Sequence, residues 1–179
     1  MKEVLFQVPY WRYKIKQWKK VKKSLHALIE RYPCIAFQNQ NFLTNRQMGR
    51  EKSMTFVHEI LNILSVPLQE FVQEVKTDLK ITGAWATRYE KGMDQWVHTH
   101  PEGLFVGMLY LDFDPKLHQS TMFKQPYGQL ETNGVAYTAP ANVDEGEMFF
   151  FPANIEHFAP VNKSSTPRTI LAMDLNFHV

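Results

Sequence analysis

Hydrophobic residues in the first half of the chain recur at the spacing of α-helices. Over residues 13–31 they fall every three or four positions, which predicts a helix with one apolar stripe. A second helix is predicted to begin near Thr55, and Pro67 should end or kink it because proline lacks a backbone N–H. A third helical segment continues to Leu79. The polar residues 33–53 are predicted to form a loop with one short strand at most.

The pattern changes to that of β-strands from Ile81 onward. Short apolar or alternating runs follow one another, separated by glycine and proline. The predicted strands are residues 82–90, 95–99, 104–112, 119–124, 134–139, 146–151, 156–161 and 168–177. A further short edge strand is predicted at Val4–Val8, ended by Pro9. Several short strands at this spacing favour a sandwich or a barrel.

This order of elements predicts a mainly β fold with N-terminal helices packed on one side of an antiparallel core. The length of 179 residues suits one domain, residues 1–179. Within it, we expect residues 1–80 to form a helical support region. Residues 81–179 should form the β-barrel core that carries the functional site.

Composition and charge add few constraints. The chain is 44% hydrophobic and 21% charged, as in an ordinary globular protein. Its net charge of +2 is too small to imply nucleic acid, so no nucleic-acid partner is expected. Lysines of the predicted helix at 13–31 lie mostly off its apolar stripe. They form either a solvated basic face or a surface for an anionic partner, and the sequence leaves both open.

The single cysteine and the N-terminus bear on the compartment. One cysteine, Cys34, excludes an internal disulfide framework, and its apolar neighbours favour an inert buried thiol over a nucleophile. The N-terminal MKEVLFQVPYW lacks the features of a signal peptide. No run of about 18 apolar residues is present, so no membrane span is expected. We therefore predict a cytoplasmic protein.

Two histidines one residue apart form the first candidate for chemistry. His98 and His100 lie in WVHTHPEG, residues 96–103. On an extended strand they would point to the same face, about 6.5 to 7 Å apart at Cα. Neutral imidazoles at that spacing can converge on one iron, zinc, copper or nickel ion. The pair alone is weak evidence, since two polar residues in a loop give the same pattern.

Two later residues are possible partners. His157 follows the apolar strand and turn of GEMFFFPANIEHFAP, where it could face the barrel interior or be a structural histidine. Arg168 begins the last strand and shares one face with Ile170 and Ala172. A buried guanidinium is costly without a carboxylate from the protein or from a ligand. The alternative is a surface arginine at a strand start.

The order of these residues resembles that of the Fe(II)- and 2-oxoglutarate-dependent oxygenases. The resemblance is to their small phage and bacterial members, related to prolyl and aspartyl/asparaginyl hydroxylases. If the protein is phage-encoded, the expected compartment is the host cytoplasm. The resemblance rests on residues 84–113 and 146–177 and, more weakly, on NFLTNRQMGREKS, residues 41–53. It implies a double-stranded β-helix, the jelly roll of cupin-like barrels. It also implies Fe(II), the co-substrate 2-oxoglutarate and O2, with hydroxylation of a C–H bond and release of succinate and CO2.

The resemblance also assigns roles to individual residues. His98 would be the first iron ligand and His157 the distal one. Arg168 would hold the distal carboxylate of 2-oxoglutarate, and Tyr110 would assist it there. Asn176 matches an asparagine often seen at the end of the last strand of such enzymes, and we group it with the co-substrate residues.

One position departs from the pattern of the wider superfamily. A carboxylate is expected two residues after the first histidine, and His100 stands there. We favour His100 as a third iron ligand; contact with substrate or co-substrate is the other arrangement. Asp94 or Glu102 could instead supply the missing carboxylate.

The substrate and the competing functions remain open at this stage. Trp85, Tyr89 and Trp96 could line a substrate cleft or pack in the core. The substrate itself is expected to be a small molecule or a peptide. A three-histidine cupin dioxygenase that does not use 2-oxoglutarate, or a non-catalytic jelly-roll binding module, would fit the same barrel.

Overall fold

The computed structural model describes residues 8–101, 103–125 and 136–177. Its helices are α1 (Trp18–Arg31), α2 (Arg50–Ile63) and α3 (Ser65–Val75). Its strands are β1 (Trp11–Lys14), β2 (Ile35–Ala36), β3 (Leu43–Thr44), β4 (Leu79–Tyr89), β5 (Gln95–His98), β6 (Phe105–Asp112), β7 (Met122–Lys124), β8 (Tyr137–Thr138), β9 (Glu147–Pro152), β10 (His157–Ala159) and β11 (Arg168–Phe177). No helix in these residues is both long and apolar enough to span a bilayer.

The strands form two antiparallel sheets. The larger sheet has the order β1-β9-β6-β11-β4-β3-β2, and the smaller one has the order β5-β10-β7-β8. Strand β11 lies between β6 and β4 and is paired along most of its length with both. The predicted mainly β fold with N-terminal helices is confirmed.

The two faces of the larger sheet bury different sets of side chains. Because side chains alternate along a strand, Leu109 and Leu171 point to the side covered by the helices. There they pack with buried helix residues such as Phe56 and Phe71. Met108, Tyr110, Phe149, Phe151 and Ile170 belong to a second cluster on the opposite side. This inner side, away from the helices, is where the candidate site lies.

The N-terminal boundaries differ from those predicted. The first helix begins at Trp18 rather than at residue 13, since residues 11–14 form strand β1 on the edge of the larger sheet. Their exposure alternates with the period of a strand, and Gln17 takes a left-handed conformation (φ 51°) before the helix. Of the predicted edge strand Val4–Val8, residues 4–7 lie outside the described residues, and Val8 is not in a strand.

The second helix and the loop before it also differ. Helix α2 begins at Arg50, ahead of the predicted Thr55, and ends at Ile63. Pro67 lies in the first turn of α3, where its missing N–H breaks no helical hydrogen bond. The segment predicted to contain at most one short strand contains two, β2 and β3. They pair with each other and join the sheet through β4.

Candidate active site

Three histidines converge on the inner side of the barrel. His98 at the end of β5 lies directly opposite His157 at the start of β10. His100 follows two residues after His98, and its backbone N–H donates to the carbonyl of Ala153 at 2.9 Å. One ring nitrogen from each histidine lies within 4.8 Å of those of the other two. The structure thus brings together the three histidines that the sequence suggested as metal ligands.

Each histidine has its Nδ1 atom engaged on the side away from the cluster. Nδ1 of His98 lies 2.8 Å from the carbonyl of Trp96, and Nδ1 of His157 lies 2.8 Å from the carbonyl of Ile155. Nδ1 of His100 lies 2.6 Å from a carboxylate oxygen of Asp174. A carbonyl can only accept, so Nδ1 of His98 and His157 carries the hydrogen and Nε2 keeps its lone pair. That is the tautomer in which Nε2 can bind a metal ion.

Burial favours the uncharged form of two of the three histidines. It lowers the pKa of His98, and it lowers the pKa of His157 to about 3. The neighbouring histidines lower both pKa values further. Neutral imidazole is the form that ligates metal ions, so the site needs no proton loss from His98 or His157 at neutral pH.

Asp174 is a site residue that sequence reasoning missed. Its side chain and that of His100 are each only 7% exposed, and the carboxylate fixes the orientation of the imidazole. On the other side, the ring of Trp85 stacks on His100 at 5.7 Å. The available signal was a lone aspartate among apolar residues on the same face of the last strand as Arg168.

Arg168 is buried without a carboxylate partner among the described residues. It is 1% exposed, and its terminal nitrogens donate to the carbonyls of Gln119 (2.6 Å) and Pro160 (2.8 Å). Its guanidinium lies 4.5 Å over the ring of Tyr89, and its Nε has no hydrogen-bond partner. Burial lowers the pKa of Arg168. An incompletely satisfied buried cation is a place where a ligand carboxylate would be strongly favoured.

A cation–π contact and two polar contacts connect the arginine to the histidine cluster. Tyr89, under the guanidinium, donates its hydroxyl to Oε1 of Gln95 at 2.7 Å. The amide of Gln95 lies 3.3 Å from Nε2 of His98, where it can donate. Arg168 and the candidate metal ligands therefore belong to one connected network of contacts.

The other two residues assigned to the co-substrate occupy different places. Tyr110 is fully buried, and its hydroxyl accepts a hydrogen bond from the backbone N–H of Thr121 at 2.9 Å. Thr121 lines the cavity described below, so Tyr110 supports its wall. Asn176 is not among the lining residues, and its side-chain oxygen accepts from the N–H of Phe177.

A cavity of about 490 Å³ lies over the three histidines. All three aromatic residues suggested for the substrate cleft line it. Trp85 and Tyr89 are buried in its wall, whereas Trp96 is 80% exposed at its mouth. A cavity of this size is in the range of small-molecule sites.

The part of the sequence that carries the three histidines and Arg168 matches a known protein family. A family model described as "Putative 2OG-Fe(II) oxygenase" matches residues 83–174, just over half of the chain. The chain belongs to the 2OG-Fe(II) oxygenase family. It is therefore an oxygenase that uses Fe(II), 2-oxoglutarate and O2. No curated protein sequence matches this oxygenase.

Solved structures share the fold of this oxygenase. The viral collagen prolyl hydroxylase of Paramecium Bursaria Chlorella virus-1, in complex with 2-oxoglutarate, superposes with a TM-score of 0.63 at 16% identity, covering 94% of this chain and 96% of that one. A prolyl-4-hydroxylase of Pseudomonas putida superposes with a TM-score of 0.61 at 11% identity, covering 96% of this chain and 94% of that one. HygX of Streptomyces hygroscopicus, with nickel, 2-oxoglutarate and hygromycin B bound, superposes with a TM-score of 0.67 at 10% identity, covering 95% of this chain and 83% of that one. The predicted double-stranded β-helix is confirmed.

Of the two candidates for a missing carboxylate ligand, the structure describes Asp94. Asp94 lies outside the histidine cluster, where its backbone N–H donates to the carbonyl of Asn41. Glu102 lies outside the described residues. Among the described residues, the carboxylate next to the cluster is that of Asp174, which binds His100.

Proposed function

We propose that His98, His100 and His157 hold Fe(II) in this oxygenase. The observation that carries the proposal is the convergence of three imidazoles whose Nδ1 atoms are all engaged elsewhere. This donor set fits iron, since imidazole is a good ligand for it and three protein ligands leave positions for other groups. In this assignment, His100 takes the place of the usual carboxylate ligand. Asp174, which is hydrogen-bonded to His100, supplies a negative charge next to the metal ligands.

We infer that Arg168 binds the distal carboxylate of 2-oxoglutarate. Its buried, incompletely satisfied guanidinium supports this assignment, because a planar fork matches a carboxylate. Tyr110 would act indirectly, by holding Thr121 in the wall. Bound at the histidines, iron would supply the oxidation of a C–H bond, coupled to conversion of 2-oxoglutarate and O2 into succinate and CO2. The chain's own residues would hold the co-substrate, exclude water and orient the substrate.

The proposed substrate is a small molecule or a peptide that enters the aromatic-lined cavity. The printed descriptions of two neighbours support this class, since one is a collagen prolyl hydroxylase and another has hygromycin B bound. The cavity wall supports it as well, because Trp96 offers an exposed, flat apolar surface at the mouth.

The proposed function is tested by incubating the protein with Fe(II), 2-oxoglutarate and O2 and measuring succinate. We expect slow succinate formation without substrate, and faster formation when a substrate from a metabolite or peptide panel is added. Omission of iron or of O2 should abolish both rates. Succinate at the no-enzyme level under every condition would contradict the proposal.

The contact between Asp174 and His100 leads to a separate prediction. We expect Asp174→Ala to weaken Mn(II) binding by about 10- to 100-fold, the usual cost of losing such an outer carboxylate. Asp174→Asn should lose less, because its amide oxygen can still accept from Nδ1. Calorimetric titration of Mn(II), the redox-silent substitute for Fe(II), measures both.

Asp94→Ala is the matched control, since it removes a carboxylate outside the histidine cluster. Its Mn(II) affinity should equal that of the wild type. If Asp174→Ala also binds Mn(II) like the wild type while remaining folded, Asp174 has no role in orienting His100.

A further inference from the structure

Arg46 is a cation of the cavity wall, whereas Arg168 is not among the residues that line the cavity. Its side chain lines the cavity near the mouth and is exposed, and its guanidinium lies 4.4 Å over the ring of Trp85. It forms no ion pair with any described residue. The other formally charged residue of the described wall is Asp174, which is engaged by His100.

Stacking fixes the distance of this cation from the histidines. Trp85 has the guanidinium of Arg46 at 4.4 Å from its ring centre and the ring of His100 at 5.7 Å. The two separations together keep the cation within about 10 Å of the His100 ring centre. A ligand group bound by Arg46 would therefore lie close to the proposed iron position.

When a metal ion and 2-oxoglutarate are bound, the formal charges of the site leave Arg46 without a counter-charge. The distal carboxylate of 2-oxoglutarate would pair with Arg168. Its other carboxylate, together with Asp174 next to His100, would balance a divalent metal ion. The histidines carry no charge when they act as ligands. Arg46 then remains as one uncompensated cation that faces the space left for the substrate.

We propose that Arg46 binds a carboxylate of the substrate. The substrate class is then a carboxylate-bearing molecule, either a free acid such as an amino acid or an acidic residue of a peptide. The hydroxylated carbon would lie only a short carbon chain from that carboxylate. This inference rests on the proposed function, because it takes the histidine cluster as the reaction centre.

The neighbouring side chains suit such a ligand. Arginine on an aromatic face keeps its planar fork of N–H donors directed outward, in the geometry that matches a carboxylate. Trp96, Phe37 and Phe158 line the same cavity and could cover the apolar body of the molecule. Recognition would thus combine one ion pair with aromatic contacts.

Paramagnetic line broadening in NMR spectra tests the proposal without a known substrate. Protein loaded with Mn(II) and 2-oxoglutarate is mixed with pairs of ligands that differ only in the acid. One set pairs free carboxylic acids, including the amino acids, with their primary amides. The other set pairs short amidated peptides containing Asp or Glu with the same peptides containing Asn or Gln.

We expect acids of at least one set to bind about tenfold or more tightly than their amides, as for hydrogen bonds to a charged group. A preference for the acid in the first set indicates a free acid as substrate, and a preference in the second set indicates an acidic residue of a peptide. Arg46→Gln should remove the preference. Arg50→Gln, the same change at an exposed arginine outside the cavity wall, should keep it.

Three results would overturn the proposal. One is that no acid in either set binds more tightly than its amide. Another is that the preference survives in Arg46→Gln. The third is that Arg46→Gln weakens the binding of 2-oxoglutarate itself, which would make Arg46 a residue that binds the co-substrate. By contrast, failure of wild-type protein to bind 2-oxoglutarate at all would contradict the proposed function rather than this inference.

Discussion

Replacement of His157 by alanine is expected to weaken Mn(II) binding by more than about 100-fold, beyond the usual cost of losing an outer-sphere partner. It should also reduce succinate formation to the no-enzyme level. His157 is buried opposite His98, and its removal leaves only two imidazoles in the cluster. Calorimetric titration with Mn(II) and a succinate assay with Fe(II) measure the two effects.

His58→Ala is the control, because His58 is an exposed histidine on helix α2. It should match the wild type in both assays. Since burial makes His157→Ala prone to leave a cavity, His157→Gln provides a second, larger side chain at the same position. Wild-type Mn(II) affinity in a folded variant of His157 would exclude it as a metal ligand.

Replacement of Arg168 by methionine is expected to raise the dissociation constant of 2-oxoglutarate by about 100-fold or more. Two charge-assisted hydrogen bonds to one carboxylate would account for a loss of this size. Mn(II) affinity should stay near the wild-type value, because Arg168 does not belong to the histidine cluster. Titration of 2-oxoglutarate into Mn(II)-loaded protein measures the effect.

Arg168→Lys should give an intermediate affinity, since lysine keeps the charge but not the planar fork. Arg88→Met is the matched control, because Arg88 is an exposed arginine of β4 that pairs with Glu90. An unchanged dissociation constant in folded Arg168→Met would show that another cation holds the co-substrate.

Sequence pattern predicted the β-rich half of the fold closely because alternation is a local property. The last strand runs over residues 168–177, as predicted, and Ile170 and Ala172 do line the cavity. The first strand was missed because Trp11 lies four and seven positions before Ile15 and Trp18, which is a helical spacing. What assigns residues 11–14 to a strand is pairing with β9, more than 130 residues away in the chain, which no local pattern contains.

The same limit explains which site residues were found. His98 and His157 could be anticipated from motif order, but the contact of His100 with Asp174 joins residues separated by 74 positions. Asn176 shares the parity of Asp174 but lies beyond Leu175, the last residue of β11 that pairs with β6. Parity predicts which face of the sheet a residue occupies, and it does not predict how far along the strand the site extends.

The most direct test of the account is the metal dependence of 2-oxoglutarate binding to the wild-type protein. Thermal unfolding is recorded with Mn(II) alone, with 2-oxoglutarate alone and with both. At about 100 times its dissociation constant, a ligand stabilises the native state by about 2.7 kcal/mol. We expect 2-oxoglutarate to raise the unfolding temperature only when Mn(II) is present. Two results would contradict an iron and 2-oxoglutarate site at these residues. One is that 2-oxoglutarate raises the unfolding temperature equally with and without Mn(II), and the other is that it does not raise it even with Mn(II) bound.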